Sequence, residues 1–579
     1  MQALIKKHLD SRGRPSVKRV KKTVDTRGQC IKCCHVFFGE TPNPQPCGSC
    51  GYQMKWLMSG LFIALLKYVF AITCAIMIHE GVPEFSDTIA VGVNVQLMCM
   101  VVTQVILGPF TQIGVTVGGP DVVAAIFAAA MAQVIKDNVY EEHPERMLPT
   151  LLFCMTLTTL LCAVAWLLIG YLRAARIVDY MPVCVVCGFL GCLAYKVFYY
   201  CIKISVGHEW YYPETWAFWR LLLPVLPLGT GLYYVKKFHH KLHVNPIVIL
   251  ALFLIVPLAI MFISMAALGQ SVEDLRDDGW LFDELNATEF WAGWTELKWE
   301  DVDSTATMAC IPSIVTTVII VSIALLINLQ ASKQHLGLSA VDAAEEMKIN
   351  GWANVVAALF VAAPGYTQIK FNLLNYHIIG NTTDKNPGLF AAAFAFLMMF
   401  AGPKGFALTN YLPRVMLGML LLYAGLPLLE DNLIYSFKRV TKKEFVAIWA
   451  IVVVNAVAGI WTSYAFLIAV VTGTVLAAFI FAVQYGRSPV ISKKIWGNNY
   501  DSSTIRPTEQ ELLKKLGIRT RIFVLQGYLF FGSTIQVLNK FKRIVETNTE
   551  KPFPKRVRYF IVDFKGVMNI DHSSCETFK

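Results

Sequence analysis

The chain has 579 residues, of which 55% are hydrophobic and only 16% are charged, and its formal net charge at pH 7 is +11. In soluble proteins about a quarter of the residues are charged, so this composition excludes an ordinary soluble protein. The positive excess lies mostly in an N-terminal arm and in short loops, which is typical of a membrane protein and does not indicate nucleic-acid binding. We therefore expect an integral membrane protein.

Residues 1–55 form a basic, polar arm without the short apolar region of a cleaved signal peptide. Two Cys-x-x-Cys pairs in this arm, about thirteen residues apart, are similar to the two knuckles of a zinc ribbon. Four thiolates can close a tetrahedral structural site and leave no open position for catalysis. A disordered arm without metal is the alternative. The predicted zinc ligands are Cys30, Cys33, Cys47 and Cys50, with Cys34 and His35 as alternatives.

Residues 56–485 contain about fourteen apolar segments, and about 20 apolar residues suffice to cross a bilayer as a helix. The predicted segments are Trp56–Ile78, Thr88–Leu107, one beginning near Pro120, Leu148–Gly170, Tyr180–Tyr199, Trp216–Tyr234, Val244–Leu268, Ala309–Leu329, Ile349–Ala362, one beginning near Tyr366, Gly388–Ala401, Leu412–Leu429, Glu444–Ile460 and Trp461–Gln484.

The charges of the loops predict the orientation. Loops after even-numbered segments are rich in lysine and arginine, whereas the long loop Val272–Ser304 is acidic. Because positive loops stay in the cytosol, both termini are predicted to be cytosolic. A sequon at Asn286 then predicts glycosylation on the opposite side of the membrane, and the sequon at Asn381 is expected to be unused.

The long loop divides the membrane part into two halves, and the third segment of each half is interrupted by glycine and proline. The interruptions read Gly118-Gly119-Pro120-Asp121 and Ala363-Pro364-Gly365-Tyr366. Matching interruptions in two halves indicate the midplane substrate site of a transporter. A proline that simply begins a helix is the alternative interpretation.

A polar linker, residues 486–519, separates the membrane part from residues 520–579. This last part is predicted to be the beginning of a soluble β-β-α-β domain, with a strand pair in Thr520–Phe531, a helix at Ser533–Val545 and a strand at Arg558–Phe564. The helix start at Pro507 is predicted to lie within the linker.

Several motifs occur in an order that resembles the sulfate permease (SulP) family with its C-terminal STAS domain, and within it a divergent fungal and protist branch. The motifs are Asn350-Gly351-Trp352-Ala353-Asn354, Tyr411-Leu412-Pro413, Gly486-Arg487-Ser488-Pro489-Val490, Gly527-Tyr528-Leu529-Phe530-Phe531-Gly532-Ser533, and the run from Asp563 to Asp571-His572-Ser573-Ser574. The STAS-like part stops at Lys579, inside the helix after Ser573, so a fragment or a truncated gene model is expected.

The resemblance implies an all-α polytopic membrane protein of about fourteen helices in two inverted seven-helix repeats, divided into core and gate domains, followed by a truncated α/β STAS domain. It also implies a homodimer, a STAS domain that binds cytosolic proteins, and no cofactor for transport. Ser573 matches the STAS position that is phosphorylated in bacterial anti-sigma antagonists, although a purely structural turn is the alternative.

The resemblance places the substrate between the N-termini of two half-helices, where free N–H groups and partial positive charge favour an anion. The chain departs from the family at Lys370-Phe371, where Ser-Arg is common. It also has no carboxylate between Pro312 and Gln330, where many members place one in the eighth helix, and instead has Asp121 directly after Pro120. The predicted substrate site comprises Lys67, Gly118, Gly119, Pro120, Asp121, Tyr366, Lys370, Phe371, Asn372 and Asn375.

Three charged residues of this set have alternative interpretations. Lys67 is a functional candidate because charge inside a bilayer is costly, or it snorkels to the interface. Asp121 carries a coupling proton or binds a cation, or it only stabilises a helix start. Lys370 either neutralises an anionic substrate or pairs with Asp121.

Three functions remain open from the sequence. The first is a secondary active transporter of small anions such as sulfate-like oxyanions, by exchange or proton coupling. The second is a proton-coupled transporter of amino acids or other organic solutes in a vacuole-like membrane, and the third is a non-transporting membrane scaffold or sensor. Plasma and vacuolar membranes are not distinguished. An enzyme is not expected, because the sequence has no nucleophile–base arrangement, phosphate loop or open metal site.

Overall fold

The computed structural model describes residues 50–80, 82–174, 183–207, 212–238, 241, 246–284, 288–338, 341–380, 385–400, 409–462, 465–486, 490–499, 506–549 and 556–578. The predicted zinc ligands Cys30, Cys33 and Cys47 lie outside these residues, as does the sequon asparagine Asn286. Cys50 is the first residue of the first described helix. Zinc binding and glycosylation therefore stay predictions.

The described membrane part is helical, because its apolar runs leave backbone groups that can be satisfied in lipid only within a helix. The helices are α1 (Cys50–His79), α2 (Ile89–Phe110), α3 (Val122–Val139), α4 (Met147–Tyr171), α5 (Val183–Val206), α6 (Trp216–Leu222), α7 (Val225–Lys237), α8 (Pro246–Leu268), α9 (Val272–Asp277), α10 (Ala292–Glu296), α11 (Ser304–His335), α12 (Ala343–Leu359), α13 (Ile369–Ile379), α14 (Asn386–Phe400), α15 (Arg414–Leu429), α16 (Lys442–Trp461) and α17 (Ala465–Gly486).

Eight helical stretches of the described chain are long and apolar enough to cross a membrane. They are Trp56–His79, Pro83–Phe110, Val122–Val139, Pro144–Tyr171, Val183–Val206, Val248–Leu268, Ser304–His335 and Arg414–Lys438. This establishes a multi-pass membrane protein, whereas the count of fourteen spans remains a proposal.

The predicted continuous segment Trp216–Tyr234 is wrong, because the structure divides it into α6 and α7 at Leu223 and Pro224. Proline has no N–H for the helical hydrogen bond, and its ring clashes with the preceding turn. The break therefore follows from Pro224.

The helices pack as two groups. In the first, α1, α2, α3, α4, α11, α12, α13 and α14 pack mainly against one another, and in the second, α5, α7, α8, α15, α16 and α17 do so. Glycines allow the closest approach inside the first group: a Cβ on Gly170 of α4 would lie 2.6 Å from Lys348 Cγ, and one on Gly351 of α12 would lie 2.8 Å from Leu167 Cγ. Small residues at such crossings let helix backbones approach in membranes.

The C-terminal part is a small α/β unit. Its elements are β1 (Ile491–Trp496), α18 (Pro507–Leu516), β2 (Thr520–Leu529), α19 (Phe531–Thr549), β3 (Tyr559–Ile570) and α20 (His572–Phe578). The sheet order is β1-β2-β3, with β1 antiparallel and β3 parallel to β2. Phe523 on the central strand is paired with both neighbours, opposite Lys494 and Val562, and it is buried.

The predicted strand pair in Thr520–Phe531 is wrong, because β2 is a single strand. Its antiparallel partner β1 lies in the segment predicted to be a linker. Gly527 has φ +79° and lies beside a register shift in the β2–β3 ladder. This irregularity interrupts the alternation of side chains along β2, and in the sequence such a glycine resembles a turn between two strands.

The turn before α20 is held by Asp571, whose Oδ1 accepts a hydrogen bond of 2.7 Å from the Ser574 N–H. The hydroxyl of Ser574 is 2.7 Å from that of Thr534 on α19. Ser573 lies in the first turn of α20, and its phosphorylation stays a prediction.

Candidate functional site

The two glycine- and proline-interrupted segments meet in the structure. Pro120 and Gly365 form an isolated antiparallel bridge, and the Tyr366 N–H donates to the Gly119 carbonyl over 3.2 Å. Immediately after this crossing, α3 begins at Val122 and α13 begins at Ile369. Both half-helices therefore start at the crossing, where their free N–H groups and partial positive charge are concentrated.

The residue types explain why the chain is extended here. Gly119 has φ +131°, a conformation that side chains rarely tolerate. Pro120 and Pro364 have no N–H and cannot continue a preceding helix. Each segment thus leaves its helical path before the half-helix begins.

Buried amide side chains satisfy the extended backbone. Asn354 accepts from the Gly365 N–H over 3.0 Å and donates to the Gly365 carbonyl over 2.6 Å. Gln104 accepts from the Gly118 N–H over 2.7 Å. Because unpaired backbone groups are costly in a dry interior, these amides hold the crossing in place.

Asp121 lies at the crossing and binds two side chains from the opposite segment. Its Oδ1 is 2.9 Å from Lys370 Nζ, and its Oδ2 accepts a 2.7 Å hydrogen bond from the Tyr366 hydroxyl. The side chain is only 11% exposed. Asp121 is the N-cap residue of α3 but makes no capping hydrogen bond, so helix capping does not account for its contacts.

Lys67, in the middle of α1, is completely buried, and its ammonium has no hydrogen-bond acceptor among the described residues. It lies 4.3 Å from the centre of the Phe371 ring. A Cβ on Gly119 would be 3.3 Å from Lys67 Nζ. The structure therefore places Lys67 against the crossing. Its buried ammonium donates no hydrogen bond to any residue of the described chain.

Two other predicted site residues make hydrogen bonds within the protein. Asn372 accepts from the Val117 N–H over 2.8 Å, and its amide donates to Thr367 over 3.1 Å. Asn375 donates to the Val115 carbonyl over 3.1 Å. Both asparagines thus bind the backbone of the segment before α3 and stabilise the crossing from that side.

Phe70 and Gln368 also belong to this arrangement, although neither was predicted from the sequence. The ring of Phe70 lies 4.1 Å from Lys370 Nζ. Gln368 donates to the carbonyls of Gly119 and Pro120 over 3.2 and 2.7 Å. Phe70 follows Lys67 by three residues on α1, so helical spacing could have identified it, whereas no sequence signal distinguished Gln368.

A cavity of about 520 Å³ lies between the two groups of helices. It is bounded by α3 from Ile126 to Asp137, by the tyrosine- and lysine-bearing face of α5, and by α16 and α17. Its lining on α3 begins at Ile126, about one turn after the start of that helix. Lys196 and Lys203 of α5 supply positive charge to its wall. Within the described residues, no group of three or more His, Cys, Asp or Glu side chains could hold a metal ion.

A family model identifies the family of this chain, and solved structures show its fold. The sequence model of the sulfate permease family matches residues 55–452. A curated relative is the vacuolar basic amino acid transporter VSB1 of Saccharomyces cerevisiae, 23% identical over 515 residues that cover 86% of this chain and 48% of the relative. The chain thus spans about half the length of this curated relative.

Solved transporters share the fold. The transmembrane domain of the cyanobacterial bicarbonate transporter BicA has a TM-score of 0.51 and 13% identity, covering 73% of this chain and 97% of that one. The murine anion transporter Slc26a9, in its inward-facing state, has a TM-score of 0.60 and 14% identity, covering 92% and 83%. At these identities the likeness shows the architecture alone.

Proposed function

This chain belongs to the sulfate permease family of membrane transporters, and on that premise we propose that it is a secondary active transporter of basic amino acids in a vacuole-like membrane. The observation that carries the proposal is the carboxylate of Asp121 at the crossing, held between Tyr366 and Lys370. When Lys370 is displaced from it, this carboxylate repels an anionic substrate and attracts a cationic one.

The remaining charges suit the other end of an amino acid. The ammonium of Lys67 is buried without an acceptor among the described residues, and the two half-helix starts favour negative charge. A buried charge without a partner costs several kcal/mol. A substrate carboxylate near Lys67 would supply that partner, while Asp121 would receive the substrate's cationic group.

The comparison with the yeast relative supports the same substrate class, because that protein is named as a vacuolar transporter of basic amino acids. Proton coupling is proposed for Asp121, since a carboxylate can bind a proton and a cation alternately.

A second candidate is a carrier of small oxyanions by exchange or proton coupling. It is favoured by Lys67 and the half-helix starts, provided that Lys370 serves only to neutralise Asp121. A scaffold without transport ranks last, because it has no use for a buried lysine and carboxylate in a membrane.

Uptake into proteoliposomes distinguishes these functions. Purified protein is given arginine, lysine, neutral amino acids, sulfate and bicarbonate, with and without a pH gradient. Uptake of arginine or lysine driven by the gradient is expected. Uptake of sulfate or bicarbonate without amino acids would instead establish the oxyanion carrier, and no uptake of any solute would support the scaffold.

The finer architecture is also proposed. We propose fourteen spans in two inverted repeats, with the first group of helices as core and the second as gate, and both termini in the cytosol. The two interrupted segments and the acidic loop before α11 support this arrangement. The strand order and the Asp571 turn support a STAS-type domain. Binding of cytosolic proteins by this domain and a homodimer are proposed from the family.

The arm is proposed to hold a structural zinc ion through Cys30, Cys33, Cys47 and Cys50, as the spacing of the cysteines suggests. Metal analysis of the purified chain should then give about one zinc ion per protein, as in four-thiolate sites. Replacing Cys30 and Cys33 by serine should remove it.

A further inference from the structure

The ammonium of Lys370 occupies a cage that could hold a free cation. It lies 2.9 Å from Asp121 Oδ1, 4.1 Å from the centre of the Phe70 ring and 5.4 Å from that of Phe371. Tyr366 binds the other carboxylate oxygen over 2.7 Å and so orients Asp121. A carboxylate combined with aromatic rings is the chemistry that binds organic ammonium ions.

The position of Lys370 in its own helix is unfavourable. It is the second residue of α13, and a cation near a helix N-terminus is opposed by the helix dipole. The lysine is therefore not explained by the stability of α13, and its contacts with the cage account for its conformation.

Lys370 is also the outer member of the pair. Its side chain is 35% exposed, whereas that of Asp121 is 11% exposed. The lysine can leave the cage by rotating its long side chain, while the carboxylate stays buried. Lys67, in contrast, is completely buried and cannot be exchanged in this way.

We propose that the cage of Asp121, Tyr366, Phe70 and Phe371 binds the side-chain ammonium or guanidinium group of a cationic substrate, and that Lys370 is a tethered competitor for it. This inference rests on the proposed function and adds the group that is recognised and the residue that sets affinity. Exchange of one cation for another keeps the buried carboxylate neutralised. A competitor that occupies the cage lowers the apparent affinity by the fraction of time for which the cage is free.

The first test measures binding without transport. In Lys370→Ala the missing part of the side chain corresponds to n-propylammonium, which is added to purified protein while thermal unfolding is followed. We expect a saturable rise in the Tm of Lys370→Ala and a much smaller one for the wild type. The rise should vanish in the double variant Asp121→Asn/Lys370→Ala, and propan-1-ol or sodium chloride at equal concentration should not produce it.

The second test measures transport in proteoliposomes. Lys370→Met keeps most of the aliphatic side chain and removes the charge, and we expect the KM for arginine or lysine to fall about tenfold, as it does when a competitor occupies a site nine-tenths of the time. The exposed Lys443 on α16 supplies the matched control, Lys443→Met, with an unchanged KM.

The outcomes separate this inference from the proposed function. Propylammonium binding to Lys370→Ala without uptake of amino acids by the wild type would support the cage and contradict the proposed function. Uptake of basic amino acids by the wild type without propylammonium binding, or with a higher KM in Lys370→Met, would overturn the tethered competitor and leave the function standing.

Discussion

Asp121 and Tyr366, 245 residues apart in sequence, are joined by a 2.7 Å hydrogen bond from the tyrosine hydroxyl to the carboxylate. Each residue ends one of the two interrupted motifs. Both side chains are buried, Tyr366 completely. The bond thus connects the two halves of the chain at the point where both half-helices begin.

The variant Tyr366→Phe removes this bond and keeps the aromatic ring. A hydrogen bond to a charged group contributes about 1.5–3 kcal/mol, so on the proposed function we expect the KM for arginine or lysine to rise about tenfold or more. Concentration-dependent uptake into proteoliposomes measures the effect. Tyr140, which is 45% exposed at the end of α3, gives the control Tyr140→Phe. Equal KM values in both variants would show that the hydroxyl does not orient Asp121.

Gly119 is predicted to tolerate no substitution by a residue with a side chain. A Cβ there would lie 3.3 Å from Lys67 Nζ and 3.4 Å from Met100 Cα, at a φ of +131°. We expect Gly119→Ala to lose transport and to lower the free energy of unfolding by about 1–3 kcal/mol. Thermal unfolding in detergent and uptake are measured together.

Gly269 is the matched control for this substitution, because it also has a positive φ, +67°, but has no atom within 4 Å of its Cβ position. Gly269→Ala should cost about 1–2 kcal/mol of conformational strain and leave transport intact. Similar transport in the two variants would contradict the role of close packing at Gly119.

Much of this architecture is readable in the sequence because apolar length and proline act locally. The ends of α2 and α4 follow from where apolar runs stop, and the two interruptions follow from Pro120 and Pro364. The pairing of Asp121 with Lys370 was one of the two interpretations of Lys370 from the sequence, because opposite charges in apolar surroundings are stable only when they pair.

Other features depend on contacts between distant segments and leave little local signal. The amide of Gln368 binds the carbonyls of Gly119 and Pro120, 249 and 248 residues away, which only the fold brings near. The strand β1 pairs directly with β2, although the helix α18 separates them in the sequence. Because β1 is polar and its partner is not adjacent in the chain, its sequence resembled a linker. The direction of Phe70 towards Lys370 likewise depends on the packing of α1 against α13.

Glu80, just after α1, and Arg414, the first residue of α15, form an ion pair between the two groups of helices. Both side chains are nearly buried, at 12% and 10% exposure. Removing one partner of a buried pair costs about 3–5 kcal/mol, so Glu80→Gln and Arg414→Met should each destabilise the protein. A double-mutant cycle by thermal unfolding should show that the two losses are not additive.

The same pair tests movement between the two groups. Cross-linking Glu80→Cys to Arg414→Cys should block transport reversibly if the groups move against each other. Glu84 and Lys136, whose side chains lie 2.7 Å apart within the first group, provide the control cysteine pair, which should leave transport intact. Full transport with the first cross-link in place would exclude such movement.

The charge distribution predicts which loops face the cytosol. A cysteine introduced at Thr288, before α10, should react with an impermeant maleimide from the non-cytosolic side, and one at Lys442 should not. The native cysteines of the described membrane part are buried and should stay unlabelled. The reverse labelling pattern would invert the proposed orientation and refute the count of spans.

Asp121 separates a transport role from a structural one most directly. If it only stabilised the start of α3, asparagine would serve about as well, because the two residues cap helices similarly. Its side chain makes no capping bond, however, and both of its oxygens are bound by side chains of the opposite segment. A role that requires the negative charge is therefore expected.

The variant Asp121→Asn keeps the shape of the side chain and removes its charge and its titration. Losing one member of a buried charge pair costs about 2–5 kcal/mol, so uptake of arginine or lysine should fall about thirtyfold or more. Uptake driven by a pH gradient should disappear, and residual exchange should lose its pH dependence, while the protein remains folded and correctly located. Initial rates across about pH 5 to 8 measure this, since a titrating group shows itself in the pH profile. Wild-type rates throughout that range would remove Asp121 from the mechanism and favour the oxyanion carrier.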